Sequence, residues 1–209
     1  MNTLMFCTSL INEQTLKTYS EWWKYYRNKF PDCDFLLFND GPIETHIADK
    51  LFELTNYEMN WNNIVVFDDK LGREGMRHWG WWRSFLSALN FGRENYDKII
   101  HVECDAVILS LRLFDFIHNT NNGWCCLFTN KYNFPESAIQ IINKDSYVLI
   151  DRLSKNFDFN VIAELVIPFR PIKAFVGDRW GEDGALPTHK VDYVCQWNWE
   201  WHIDKDWIL

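Results

Sequence analysis

The sequence is short of several things, and each shortage narrows what the chain can be. It has only 9 Gly and 6 Pro in 209 residues, below the usual share of about 7% and 5%. Collagen-like, linker-rich and low-complexity architectures are thereby excluded. No apolar run approaches the roughly 18 residues of a membrane-spanning helix. Basic side chains are outnumbered, with 21 Lys and Arg against 29 Asp and Glu and a net charge of −8. A chain so charged lacks the basic footprint that a nucleic-acid backbone requires. The 6 cysteines, at positions 7, 33, 104, 125, 126 and 195, form no Cys-x-x-Cys pair, so neither a zinc-site spacing nor a disulfide framework is present. There is no Asn-x-Ser/Thr acceptor, and residues 1–7 have no basic region and only a short apolar run, unlike a secretory signal. Together these absences predict a reducing, cytoplasmic setting.

Aromatic side chains are abundant: 17% of the residues, with 12 Trp among them. Indole needs a partner for its N–H when buried, and it suits surfaces that are apolar with one polar edge. At this length a chain buries roughly 70% of its unfolded surface, so no metal or disulfide is needed merely to fold.

The first half alternates short apolar runs with amphipathic stretches. Residues 4–8, 34–38, 63–67 and 98–102 read as buried strands. Between them, residues 12–30, 43–54 and 77–95 carry apolar side chains at three- and four-residue spacing, the stripe of a helix. That order predicts βαβ units and a mostly parallel sheet flanked by helices. Beyond residue 105 the pattern loosens. A helix is expected at 108–118, strands at 124–128 and 137–143, and a helix at 146–154, although one continuous helix also fits the last two. Short mixed strands are expected in the C-terminal third. Trp197, Trp199 and Trp201 alternate with polar residues over 196–202, which predicts a strand with one aromatic face. Trp79 and Trp82 sit at core spacing on the third helix, whereas Trp81 points elsewhere and is the better ligand candidate. No linker or repeat divides the sequence, so residues 1–209 are read as one domain.

The most informative stretch is the fourth strand running straight into Glu103-Cys104-Asp105. Residues i and i+2 of a strand face the same way, so two carboxylates are expected to converge at the carboxyl end of a parallel strand, where open α/β sheets bind ligands. Converging carboxylates repel and are costly to desolvate. A divalent cation resolves this, and all-oxygen ligands suit Mg2+ or Mn2+. The plainer alternative is a pair of strand-end acids facing water or an arginine.

This region resembles the DxD segment of GT-A-fold (Rossmann-like) glycosyltransferases, with Glu103 in place of the first Asp. The order of elements over residues 1–145 is also similar, and the chain as a whole looks like a small transferase of surface-polysaccharide assembly. The resemblance implies a metal-dependent transfer of a sugar from a nucleoside diphosphate, UDP above all, to a glycan or lipid-linked acceptor. It implies Mn2+ or Mg2+ on Glu103 and Asp105, with Cys104 between them at the nucleotide. It makes residues 1–105 the nucleotide-binding half and 106–209 the acceptor-side half.

Other positions follow. Thr8, Ser9, Asp40 and Asp68 stand at the ends of the first three strands, where polar side chains can read a base edge or a ribose hydroxyl; the resemblance suggests uracil and ribose there. Arg77 and Arg83 lie on the third helix and have the fork that matches phosphate oxygens. The string Gly181-Glu182-Asp183-Gly184 is similar to the Glu-Asp motif of inverting GT-A enzymes, which implies Asp183, or Glu182 in its place, as the base that activates the acceptor hydroxyl. Retention stays open, because a sequence does not show which face of the sugar the base occupies. A late histidine completes the metal shell in some members, which points to His189 before His202. Residues 132–136 are expected on the acceptor side. Two other readings compete. A sugar-1-phosphate nucleotidyltransferase normally has a Gly-rich loop after strand one, and Thr8-Ser9-Leu10-Ile11-Asn12 contains no Gly. A non-catalytic carbohydrate-binding or degenerate GT-A domain would use the Trp faces without chemistry. Nucleic acid is not an expected partner; peripheral contact with a membrane is compatible with a lipid-linked acceptor.

Overall fold

A computed structural model describes residues 1–72, 77–156, 158, 160–179, 190–199 and 208–209. The chain alternates β1 (Thr3–Ser9), α1 (Leu16–Lys29), β2 (Asp34–Asn39), α2 (Thr45–Leu54), β3 (Ile64–Val66), α3 (Arg77–Asn95) and β4 (Lys98–Val102). There follow β5 (Val107–Ile108), α4 (Leu111–Asn119), β6 (Trp124–Thr129), β7 (Phe134–Asn143), α5 (Val148–Asn156), α6 (Ala163–Val166), β8 (Arg170–Ile172), β9 (Gly177–Arg179) and β10 (Tyr193–Cys195). A seven-stranded sheet has the order β3-β2-β1-β4-β7-β6-β8, and a small sheet the order β5-β10-β9. β1 to β4 are mutually parallel, and β7 lies antiparallel between β4 and β6.

The alternation of side chains along the strands explains their uninterrupted apolar look. On β1, Leu4 and Phe6 enter the layer shared with Phe85 and Leu89 of α3, while Met5 and Cys7 enter the opposite layer with Trp22, Trp23 and Tyr26 of α1. Both faces are covered, so no face needs polar residues. The Tyr26 hydroxyl donates to the Ala106 carbonyl at 2.9 Å and accepts from the Ile108 N–H at 3.1 Å, which satisfies it in the core. Gly92 lets α3 lie close on the sheet, since a Cβ there would stand 2.6 Å from Ile99 Cδ1.

The C-terminal part is fastened by one buried acid. Asp192 accepts from the Ser110 hydroxyl, from Arg112 through Nε at 2.7 Å and through Nη2, and from the Val176 N–H at 2.7 Å. It joins the small sheet to the start of α4.

Three expectations are corrected. The predicted 108–118 helix divides into β5 and α4, with Ser110 as N-cap accepting from the Leu113 N–H. Residues 137–143 belong to a ten-residue strand and α5 is separate, which removes the single-helix alternative. Of the aromatic strand expected at 196–202, the described residues 196–199 are not a strand: β10 stops at Cys195, and Gln196 takes a left-handed φ of 57°. Trp197 packs instead with Val107, Leu109 and Val194, and Trp199 beside Tyr25. Trp82 is buried as its spacing predicts, and its indole donates to the Val161 carbonyl at 2.9 Å. Trp79 is only half-buried and donates to Asn160.

The strand order places a topological switch at β1. The chain moves outward from β1 through β2 to β3, then α3 carries it back to β4 on the other side of β1. The crevice above the carboxyl ends of β1 and β4 is where such sheets take ligands.

Candidate active site

β4 ends at Val102, and Glu103 to Ala106 form a turn closed by the Ala106 N–H on the Glu103 carbonyl at 3.0 Å. The acidic pair therefore stands in a turn and not, as expected, in a continuing strand. Each member of the turn is pinned from elsewhere. The Glu103 N–H donates to the Ala138 carbonyl at 2.9 Å, the Trp199 indole to the Cys104 carbonyl, and the Trp197 N–H to the Asp105 carbonyl at 2.7 Å.

Two cavities meet at this turn. One, of about 440 Å3, lies over the ends of β1 and β2 and is lined by Thr8, Ser9, Asp40 and, across from them, Gly80, Trp81 and Ser84 of α3. Glu103 and Cys104 close its far end. The other, of about 280 Å3, holds Glu103 and Asp105 together with Glu136 and Ser137 of β7 and Glu164 of α6. Trp81 and Glu103 belong to both walls, and the Trp81 indole donates to Glu103 Oε1 at 2.7 Å. Trp81 is held in turn by stacking on Phe85, with ring centroids 4.6 Å apart and 14° between planes.

Thr8, Ser9, Asp40, Glu103 and Cys104 thus share one cavity, and Asp105 shares the second with Glu103. Other expected positions stand apart. Asp68 is exposed beyond β3 and lines neither cavity. The guanidinium of Arg83, expected on phosphate, pairs here with Asp40 and with Asp69 at 2.7 Å, and lies over the Phe67 ring. Asp69, one residue past the expected Asp68, joins that network. Asp40 is likewise committed, accepting from the Leu71 N–H at 3.2 Å and the Gly72 N–H at 2.7 Å besides Arg83. Its carboxylate fits against α3 only because residue 80 is Gly, where a Cβ would stand 2.0 Å from Asp40 Oδ2. Arg77 opens α3, but its side chain lies outside the described residues, as do Glu182, Asp183, His189 and His202.

The carboxylates at the cavity junction are electrostatically uncomfortable. Burial and then the Asp105 charge push Glu103 up to about 8, against the pull of the Trp81 indole. Burial also raises Asp105. Glu136 is pushed up to about 7 by burial, although Arg179 draws it the other way as an ion pair at 3.2 Å. Among the described residues no Lys or Arg forms an ion pair with Glu103 or Asp105, and no three His, Cys, Asp or Glu side chains gather as a metal cluster. Two carboxylates are nonetheless what Mg2+ or Mn2+ takes from a protein when substrate phosphates and water complete the shell.

Sequence reasoning missed Glu164, which reaches the second cavity from a four-residue helix and accepts from the Ser137 hydroxyl. It also missed Ser84 and Tyr19. Only the helical spacing of Gly80 and Ser84 hinted that one face of α3 was hollow.

No protein-family model matches the sequence, and no curated protein matches it. Solved structures do match the fold. A glycosyltransferase involved in the glycosylation of the major capsid of PBCV-1 superposes with 12% identity and a TM-score of 0.52, over 93% of this chain and 92% of that one. The galactosyltransferase LgtC, in complex with donor and acceptor sugar analogs, does so with 12% identity and a TM-score of 0.52, over 99% and 92%. Residues 1–349 of TarS from S. aureus give 13% and 0.50, over 93% of this chain and 60% of TarS. At such identities the likeness concerns the fold alone: the chain has the GT-A architecture of these glycosyltransferases, a central, mostly parallel sheet flanked by helices.

Proposed function

We propose that this protein is a metal-dependent glycosyltransferase that moves a sugar from a nucleoside diphosphate, UDP in the first instance, to a glycan or lipid-linked acceptor. One observation carries the reading: two cavities meet at a half-buried pair of carboxylates at the carboxyl end of β4, beside the switch point of the sheet. A transferase needs that arrangement, with a donor on one side, an acceptor on the other, and charge control where they touch. Glu103 and Asp105 would hold Mn2+ or Mg2+, and a divalent cation there supplies charge stabilisation for a departing diphosphate.

In this reading residues 1–105 carry the donor side, with Thr8, Ser9, Asp40 and Cys104 around the nucleotide. Residues 106–209 carry the acceptor side. Trp81 presents an aromatic ring to both. Asp183 or Glu182 takes the acceptor proton in an inverting displacement, and His189 adds to the metal shell. No helix among the described residues is long and apolar enough to cross a membrane. In this reading a lipid-linked acceptor is met at a bilayer surface, in polysaccharide assembly.

The test is a melting-temperature series with nucleotides and metals. UDP is expected to raise the melting temperature only when Mn2+ or Mg2+ is present, and Asp105→Asn to abolish the rise. The absence of any metal-dependent nucleotide shift in the wild type would sink the proposal. Slow UDP-sugar hydrolysis lost in Asp183→Asn, with UDP binding kept, would assign the base.

A further inference from the structure

The structure assigns one more binding group: we propose that the Ser84 hydroxyl hydrogen-bonds the nucleoside of a nucleotide held in the larger cavity. The inference rests on the reading above. Ser84 is 0% exposed, its hydroxyl has no hydrogen-bond partner, and it lines that cavity. A serine inside a helix ordinarily returns its hydroxyl to the carbonyl four residues earlier, which here belongs to Gly80. Ser84 does not make that bond. A buried hydroxyl without a partner is a standing cost in the unliganded fold and calls for an explanation.

Its location supplies one. Gly80 and Ser84 lie four residues apart on one face of α3, with Ser84 about 6 Å further along the helix. α3 joins two parallel strands, so it runs from their carboxyl ends back toward their amino ends, and Ser84 forms the floor of the cavity below Gly80. Opposite stand Thr8 and Ser9 at the end of β1; Leu10, Tyr19 and Trp81 make apolar walls. Tyr19, which lines the cavity, and Asn39 and Asp40 at the end of β2 already have protein partners. The Tyr19 hydroxyl accepts from the Leu10 N–H at 2.8 Å, Asn39 bonds Ile11 and Gly41, and Asp40 bonds Leu71, Gly72 and Arg83. An apolar slot with an unspent hydroxyl at its floor suits a flat heterocycle or a ribose edge. The diphosphate belongs at the other end, toward Glu103.

A purely structural role predicts something different. Gly80, Ser84 and Ala88 recur at four-residue spacing and let α3 approach the sheet, and Ala at position 84 would serve that packing as well as Ser. Titration calorimetry of UDP, UMP and pyrophosphate, each with Mn2+, on the wild type and Ser84→Ala separates the two. The expected result is UDP and UMP bound about 5–10-fold more weakly by Ser84→Ala, pyrophosphate unchanged, and a melting temperature no lower than wild type. Equal UDP affinity in both proteins overturns this inference and leaves the proposed function standing. So does an equal loss for UDP and pyrophosphate. A wild type that binds no nucleoside diphosphate at all, with GDP and ADP tried beside UDP, overturns both.

Discussion

Asp192 is fully buried and the pair Glu103–Asp105 half-buried at the cavity walls, and the fold treats these acids in opposite ways. Every side of Asp192 is answered, by a guanidinium, a serine hydroxyl and a backbone N–H. Glu103 receives one indole N–H, Asp105 has no cation of its own among the described residues, and burial raises both. Arg179, whose charge acts on Asp105, is paired with Glu136. Asp192 is surrounded by donors, as an acid that the fold uses should be, whereas Glu103 and Asp105 are left short of them, as the proposed function requires. On the proposed function, that absence of compensation is what a bound cation would answer.

The comparison breaks most visibly at Asp192. Asp192→Ala should cost about 4 kcal/mol, in the range for breaking a buried charged network. Arg112 is half exposed and can turn to water, but the Val176 N–H and Ser110 lose their acceptor. For a chain of this size the melting temperature should fall by roughly 10 °C, and little change would mean that the small sheet is held by apolar packing alone.

Lys98 sharpens the contrast from the basic side. It is buried on β4 and its ammonium donates to the carbonyls of Ile117 and His118, the last turn of α4. Partners without full charge compensate incompletely, and burial lowers Lys98 from 10.5 to about 8. Between these values the unfolded chain holds the proton and the folded chain does not, so this residue adds stability as pH rises from 8 to 10.5 and none further below or above. The stability difference between wild type and Lys98→Met should therefore grow in favour of wild type by up to about 3 kcal/mol across that window. Urea unfolding at stepped pH reads it. A flat difference would place Lys98 with the fully compensated charges.

Asp105→Asn should move stability the other way. Removing one of two repelling, poorly answered carboxylates is expected to raise it by about 1 kcal/mol, while the Mn2+-dependent effect of UDP disappears. A loss of stability comparable to Asp192→Ala would show that Asp105 is structural, and the comparison would fail.

How much of this could be read beforehand depended on how local the cause was. The bounds of α3 and β4, Arg77–Asn95 and Lys98–Val102, follow from a helical stripe and an apolar run that are properties of the segment itself. Thr8, Ser9, Asp40, Glu103 and Cys104 are readable as strand ends, and strand ends converge in any parallel sheet. The ion pairs of Arg83 were not legible because its partners, Asp40 and Asp69, come from other segments. Glu164 was invisible for the same reason. Trp197 and Trp199 suggested a strand by period, but the left-handed Gln196 ends β10 before them, and a single backbone angle leaves no trace in a hydropathy pattern.

The smallest expected effect tests the one bond that Glu103 does receive. Trp81 forms part of both cavity walls, so its ring and its N–H have separable roles. Trp81→Phe keeps an aromatic face against Phe85 and Trp82 and removes the donor to Glu103 Oε1. One hydrogen bond to a carboxyl group that burial keeps largely protonated is worth about 1 kcal/mol net, or several-fold in affinity. Stability should change by no more than that, and UDP with Mn2+ should bind about 5-fold more weakly, because Glu103 is no longer oriented. Unchanged affinity would mean that the turn at Glu103 alone orients the carboxylate. A collapse in stability would put Trp81 among the core tryptophans with Trp82, and the boundary between the compensated and uncompensated regions would have to be drawn beyond it.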